Sequence, residues 1–401
     1  MLDLDVVRAA FPALHLTRDG RVPIFLDGPA GTQVPTRVID AISHYMIHCN
    51  ANNGGVFASS KESDAILDRA HRRVAEFLNA PAPEEIVFGQ NMTSLTFHLS
   101  RSLAKQWKPG DEVMVTRLDH DANVSPWMLA ARDAGAVVRF IDIQPEDCTL
   151  DLDSFHRQLS SKTRLVAVGL ASNVVGTINP VAEITRAAKA AGAEVFVDAV
   201  HFAPHGPIDV QALGCDYLAC SAYKFFGPHV GILWGRRALL DALPAYKVRP
   251  ASNDSPGKWM TGTQNHEGIA GAAAAIDYLA DLDPARDLHA AMTAIQSYER
   301  TLARRLLEGL AARPRYTVWG IRDLDRLGER VPTIAITDQE ATPRQLAERL
   351  AARQIYVWHG NNYALEVSQR LGREPHGFVR LGLVHYNTEA EVDRLLDTLD
   401  D

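Results

Sequence analysis

The sequence predicts an α/β protein in which a mainly parallel sheet flanked by helices forms a large unit, followed by a smaller α+β unit. Short β-branched runs alternate with Ala-rich amphipathic segments through the first two thirds of the chain. Those runs are apolar almost throughout, as strands covered on both faces must be. After about residue 265 the texture changes to long helical patterns followed by strand-like runs.

The expected strands of the large unit are Glu85 to Phe88, Glu112 to Thr116, Val137 to Ile141, Leu165 to Leu170, Glu194 to Val197 and Tyr217 to Cys220. Between them, Trp127 to Ala134 and Val181 to Ala191 read as helices stopped by Gly135 and Gly192. The stretch Pro250 to Lys258 reads as a connecting loop. Beyond it come helical patterns at Gly268 to Leu282 and Leu288 to Arg313, then strand-like runs at Tyr316 to Val318, Val331 to Ile336 and Ile355 to Trp358. A last helix, Thr388 to Leu399, opens with the Thr-x-x-Glu spacing of a capping box. The expected division is a large unit over 20–265 and a small unit over 266–401, with residues 1–19 packing against the small one.

Composition narrows the functional classes. Apolar residues make up 46% and charged residues 22%, which excludes disordered and low-complexity chains. With 41 basic and 49 acidic residues the net charge is −8, unsuited to a broad grip on nucleic acid phosphates. The cysteines, Cys49, Cys148, Cys215 and Cys220, form no CxxC pair, so neither a zinc ribbon nor a disulfide framework is expected. The acidic start of the chain does not read as a secretory signal, and no apolar run is long enough to cross a bilayer. A cytoplasmic protein with no membrane and no nucleic acid partner is the expectation. No metal is expected either: His201 and His205 lie four apart, but Pro204 between them breaks the helix such a pair would need.

In an open α/β sheet, chemistry collects beyond the carboxyl ends of the strands. One run ends at Asp198 with His201 close behind, and another ends in Ser221-Ala222-Tyr223-Lys224. A third, Ile86-Val87-Phe88, enters Gly89-Gln90-Asn91-Met92-Thr93-Ser94 and then a helical pattern, a strand-turn-helix entry suited to phosphate. A lysine whose amine is neutralised by burial is a Schiff-base nucleophile. A rim carboxylate can hold a pyridinium nitrogen protonated. Lysine for an aldehyde, carboxylate for a ring nitrogen and helix terminus for a phosphate together meet the demands of pyridoxal 5'-phosphate (PLP).

Val197-Asp198-Ala199-Val200-His201, followed by Ser221 through Pro228 and Gly231, strongly resembles the class V aminotransferases, in particular their cysteine desulfurase-like branch. The resemblance runs along nearly the whole chain. It takes in Leu26 to Thr32, Asp119 to Asn123 with Pro126-Trp127, Ser172 to Thr177, Gly262-Thr263, Val379 to Gly382 and Tyr386-Asn387-Thr388. It implies the PLP-dependent fold type I, with a seven-stranded type of sheet in the large unit, and a homodimer with active sites at the subunit interface. Carried over by position, it implies that Lys224 forms the Schiff base with PLP and moves the proton at the substrate Cα, that Asp198 pairs with the ring nitrogen, and that His120 stacks on the ring. His201 would stand where the desulfurases have a glutamine touching the ring hydroxyl. Met92, Thr93 and Ser221 would cradle the phosphate, with Thr263 arriving from the partner subunit. Asn173 and Arg380 would receive the substrate carboxylate, with Gly31 and Tyr363 lining the substrate side.

The departures from that branch bear on the reaction. Desulfurases carry a sulfur-accepting cysteine on a mobile loop of the small domain; here the matching stretch is Val357 to Ala364, with Tyr363 at or beside the place, and no cysteine follows Cys220. A phenol cannot store sulfane sulfur. Trp358 stands where that loop usually has an arginine, and Tyr223 precedes the lysine in place of the common histidine. The expected function is therefore a PLP-dependent lyase or aminotransferase acting on a small amino acid without protein persulfide chemistry. Three alternatives stay open: a desulfurase passing sulfur directly to an external acceptor, an amino acid epimerase, and a PLP-binding regulatory protein without turnover.

Overall fold

The structure, a computed structural model, describes residues 2–400. In chain order the large sheet comprises β1 (Ile86–Gly89), β2 (Glu112–Thr116), β3 (Val137–Ile141), β4 (Thr163–Gly169), β5 (Glu194–Asp198), β6 (Tyr217–Ser221) and β7 (Gly231–Gly235). Its spatial order is β1-β7-β6-β5-β4-β2-β3. The pairs β6-β5, β5-β4, β4-β2 and β2-β3 are parallel, whereas β7 runs antiparallel to both β1 and β6. The fold is thus the mixed seven-stranded α/β sheet of PLP fold type I.

The strand β7 is the one large-sheet element that sequence patterning does not supply. Its residues Gly231-Ile232-Leu233-Trp234-Gly235 are fully buried, but the run is short and bounded by glycines, which resembles a turn as much as a strand. Gly231 is required by packing, because a Cβ there would lie 2.4 Å from the Asn91 carbonyl carbon. That close approach presses β7 against the turn that opens the helix Met92–Ala104.

Helices begin and end as the local chemistry dictates. Ser125–Ala134 is closed by Gly135 in the left-handed conformation, at φ 71°. The terminal helix Glu389–Asp400 is preceded by the expected reciprocal cap: the Glu391 N–H donates to Thr388 Oγ1 at 3.2 Å, and the Thr388 N–H donates back to Glu391 Oε2 at 3.2 Å.

The small sheet contains β8 (Tyr316–Trp319), β9 (Thr333–Asp338), β10 (Trp358–Gly360) and β11 (Phe378–Gly382), ordered β8-β9-β11-β10 and antiparallel throughout. The expected run Ile355 to Trp358 is split at Val357. Ile355 and Tyr356 pair in parallel with Ile24 and Phe25, while Trp358 opens β10. The helix His266–Ala280 packs on Thr36–His44 and Ala58–Leu78, and its apolar residues belong to the large core. Near the N-terminus, Arg8 donates to the Tyr386 carbonyl at 2.7 Å and pairs with Glu391 at 2.9 Å, while Val7, Phe11 and Leu14 join the large core. Among the described residues no helix is long and apolar enough to cross a membrane.

Candidate active site

Because β2, β4, β5 and β6 run parallel, their carboxyl ends share one rim, and a cavity of about 430 Å³ opens there beneath the small sheet. The rim contributes His120, Asp198, His201, Ser221 and Lys224; the first turn of the helix Met92–Ala104 adds Met92 and Thr93; Asn173, Tyr363 and Arg380 complete the wall.

Asp198, the last residue of β5, is buried and accepts the Val200 N–H at 2.9 Å. Burial pushes its carboxyl up to about 6, against the lowering effects of that hydrogen bond and of Lys224. Lys224 donates to the Pro29 carbonyl and lies 4.9 Å from the centre of the Tyr223 ring. Burial pushes its amine down to about 7 and the Arg380 guanidinium adds to the shift, while Asp198 opposes it. A substantial share of this amine is therefore unprotonated near neutrality, the form that attacks an aldehyde.

The histidines are neutral for the same reason. Burial takes His120 down to about 4, and its Nδ1 accepts the Ala122 N–H at 3.0 Å, so the ring proton sits on Nε2. Its ring stacks with Tyr363, centroids 5.4 Å apart and planes 20° from parallel. His201 is held well below the usual range by burial, and its Nε2 lies 3.0 Å from Thr333 Oγ1.

Ser221 Oγ accepts the Met92 N–H at 3.0 Å, tying the end of β6 to the helix N-terminus. Met92 lines the cavity with Thr93 and Ser221, while its side chain also packs in the apolar core and its N–H holds Ser221 in place.

Arg380, in β11, is buried and donates from Nη1 to the Asn173 carbonyl at 2.8 Å, while its Nε has no partner. Burial lowers its guanidinium to about 9, opposed by Tyr223 and Asp27. The Asn173 side chain donates to the Asn362 carbonyl at 2.8 Å and keeps its Oδ1 unpartnered. The unpartnered Arg380 Nε, a buried donor on a residue that lines the cavity, fits a bound ligand with a carboxylate, whereas Asn173 Oδ1 is an acceptor and calls for a donor.

Two expected residues lie apart from this constellation. Thr263 is exposed and lines a different cavity with Gly89, His98 and Trp259. Gly31 stands beside the cavity wall rather than on it: a Cβ there would come within 3.3 Å of the Tyr223 ring, and its neighbours Pro29 and Ala30 do the lining. Sequence reasoning gave no role to Asp119, which the fold brings next to Asp198. Asp119 accepts the Gly169 N–H at 3.0 Å and Asn123 Nδ2 at 2.7 Å, and burial, then Asp198, push its carboxyl up to about 7. The available signal was its place directly before His120, three residues beyond the end of β2. The cysteines Cys49, Cys148, Cys215 and Cys220 are all buried, and none lines the cavity.

The residues present fit PLP by their chemistry: a buried amine with a depressed pKa, a carboxylate at a strand end, a hydroxyl-bearing helix N-terminus and an aromatic histidine face. Fold and site together define a PLP-dependent enzyme of fold type I. The chain belongs to the class V aminotransferase family, whose model matches residues 24–395. It is 33% identical to a probable cysteine desulfurase of Streptomyces coelicolor, covering 100% of this chain and 97% of that one. It is also 33% identical to a cysteine desulfurase of Serratia proteamaculans, covering 98% and 96%. Among solved structures, the apo cysteine desulfurase of Thermococcus onnurineus NA1 superposes with a TM-score of 0.88 at 27% identity, covering 100% of this chain and 98% of that chain. The cysteine desulfurase CsdA of Escherichia coli gives a TM-score of 0.87 at 28% identity, also covering 100% and 98%.

Proposed function

We propose that the protein cleaves the carbon–sulfur bond of a small, cysteine-type amino acid and passes the sulfur directly to an external acceptor. The observation that carries this reading is the pairing of Lys224 and Asp198 with a carboxylate-receiving Arg380 in a cavity that no thiol lines. Full-length similarity to proteins named cysteine desulfurase supports the substrate class. This favours the direct-transfer reading over the lyase or aminotransferase expected from the loop alone.

In this reading Lys224 holds the cofactor covalently and then takes the proton from the substrate Cα, a role suited to an amine with a pKa near 7. Asp198 faces the ring nitrogen, His120 covers the ring, His201 meets the ring hydroxyl, and Thr93 and Ser221 receive the phosphate. Bound PLP supplies the sink for the electron pair left at Cα. The substrate carboxylate docks on Arg380, filling its unpartnered Nε, and on the Asn173 side-chain amine. An external thiolate takes the sulfur as a persulfide while Cβ takes a proton, which gives alanine and balances the step. Thr263 contributes to the neighbouring site of a cytoplasmic homodimer. The division at 265/266 is retained as a proposal, with the helix His266–Ala280 lying on the large core.

Product identification tests the reading. L-Cysteine with an added thiol acceptor is expected to give alanine and an equal amount of transferred sulfur. Pyruvate with ammonia, a keto acid with pyridoxamine phosphate, or the D-amino acid would each overturn it, in favour of β-elimination, transamination or epimerisation respectively.

A further inference from the structure

Thr333 opens β9 in the small sheet and is completely buried. Its Oγ1 lies 3.0 Å from His201 Nε2, and among the described residues this is the only hydrogen bond the hydroxyl makes. The direction of that bond follows from what a threonine hydroxyl carries, one proton and two lone pairs. If His201 donated, the threonine proton would be stranded in a site closed to water, the costly arrangement. If threonine donates, only lone pairs go unfilled, which buried acceptors tolerate. Thr333 is therefore the donor, and Nε2 is the bare nitrogen.

A neutral imidazole that is bare at Nε2 carries its proton on Nδ1. His201 is neutral, because burial is reinforced by His205, Arg380, Lys224 and His120 around it. Nδ1 has no hydrogen-bond partner among the described residues, and His201 lines the cavity. The ring is also held from behind. His205 packs against it edge-on, with centroids 5.5 Å apart, and is itself fixed to buried Glu299 at 2.8 Å. The Thr333 backbone is anchored in turn by Arg330, whose Nη2 donates to the Thr333 carbonyl at 2.6 Å and to the Val175 carbonyl at 3.2 Å.

We propose that Thr333 is a positioning residue whose hydroxyl fixes His201 as the Nδ1–H tautomer, making His201 a hydrogen-bond donor to the ring oxygen of PLP. This rests on the reading above that places the ring hydroxyl beside His201. A residue of the small sheet thereby sets the polarity of a contact made on the large one.

Two measurements test it. In nitrogen-15 spectra of histidine-labelled protein, with and without PLP, the His201 signals are identified by their loss in His201→Gln. They are expected to show a protonated Nδ1 and an unprotonated Nε2; the reverse pattern overturns the proposal. In the PLP-loaded protein, the pH midpoint of the visible absorption band is then compared among wild type, Thr333→Val and Thr333→Ser. Losing a donor makes the ring oxygen more basic, so the valine variant is expected to titrate about one pH unit higher, a tenfold change in proton affinity, while serine restores the wild-type midpoint. Equal midpoints in all three, or equal shifts in both variants, overturn it. If Thr333→Val does not fold, the wild-type spectra and Thr333→Ser still decide. If wild type binds no PLP, the proposed function fails, while the tautomer of the unloaded protein still reports on Thr333.

Discussion

The cavity has two walls of different construction. The wall on the large sheet is built from strand ends and one helix N-terminus; Asp198 and His120 are tied to backbone two residues on, Val200 at 2.9 Å and Ala122 at 3.0 Å, and Ser221 joins its strand end to the helix N-terminus through Met92 at 3.0 Å. The wall on the small unit is built from two strands and a loop that meet residues far away in sequence, as in Arg380 to Asn173 at 2.8 Å and Asn173 to Asn362 at 2.8 Å. It also holds the exposed side chains, Tyr363 at 74% and Trp358 at 52%. In the proposed function, the first wall sets the cofactor chemistry and the second selects what enters. Departures from the desulfurase pattern fall on both walls, His201 and Tyr223 on the first and Trp358 and Tyr363 on the second.

The sharpest way to break this division is to remove a group from the first wall. Lys224→Ala is expected to abolish covalent capture of PLP, read as the absence of borohydride-trapped label, and to lower turnover by about 10⁴-fold or more. Retention of trapped label would show that another amine does the work. Asp198→Ala should keep PLP bound but lower kcat by about 10²- to 10³-fold, because an apolar neighbour cannot hold the ring nitrogen protonated. Equal kcat in that variant would remove Asp198 from the electron-sink role.

Substitution on the second wall is expected to act on binding. Arg380→Gln should lower kcat/KM by about fifty-fold through KM, the effect of losing charge-assisted hydrogen bonds to a carboxylate, while the visible spectrum of bound PLP stays unchanged. A fall confined to kcat would place Arg380 in the chemistry instead.

The same two walls differ in how far the sequence discloses them. Strand ends are local features: Asp198 and Ser221 are found by reading apolar runs to their last residue, because parallel strands end on one rim, whereas His120, four residues beyond its strand, comes only through the family resemblance. The antiparallel β7 escapes such reading because its five residues lie between glycines and its partners are β1 and β6, far apart in the chain. Asp119 escapes because only the pairing of β4 with β2 and with β5 brings it beside Asp198. Thr333 escapes more completely, since nothing in a β-branched run singles out the one hydroxyl that meets a histidine 132 positions away. The substrate wall has no local signature at all beyond the charge of Arg380.

Acidity offers a further test of the first wall. With the Lys224 amine depressed to about 7, PLP capture by the unloaded protein depends on the neutral amine fraction. The sign follows directly: the rate is expected to rise about tenfold per pH unit below 7 and to level off above it. Stopped-flow absorbance measures this, and a rise continuing to pH 10 would mean that burial leaves the amine at its ordinary value.

The smallest expected effect probes the second wall where it touches the first, at the stack of Tyr363 on His120. If Tyr363 acts as a cover, its ring matters and its hydroxyl does not. Tyr363→Phe should then leave kcat/KM within about twofold, while Tyr363→Ala lowers it about threefold to fivefold, in line with the modest worth of an exposed aromatic contact. Both variants should bind PLP as wild type does, because Lys224, Asp198 and Ser221 are untouched. A loss in Tyr363→Phe as large as in Tyr363→Ala would instead make the phenol a proton donor or acceptor at the reacting carbon. The loop would then belong to the chemistry, and the separation of the two walls would fail at the point where it is narrowest.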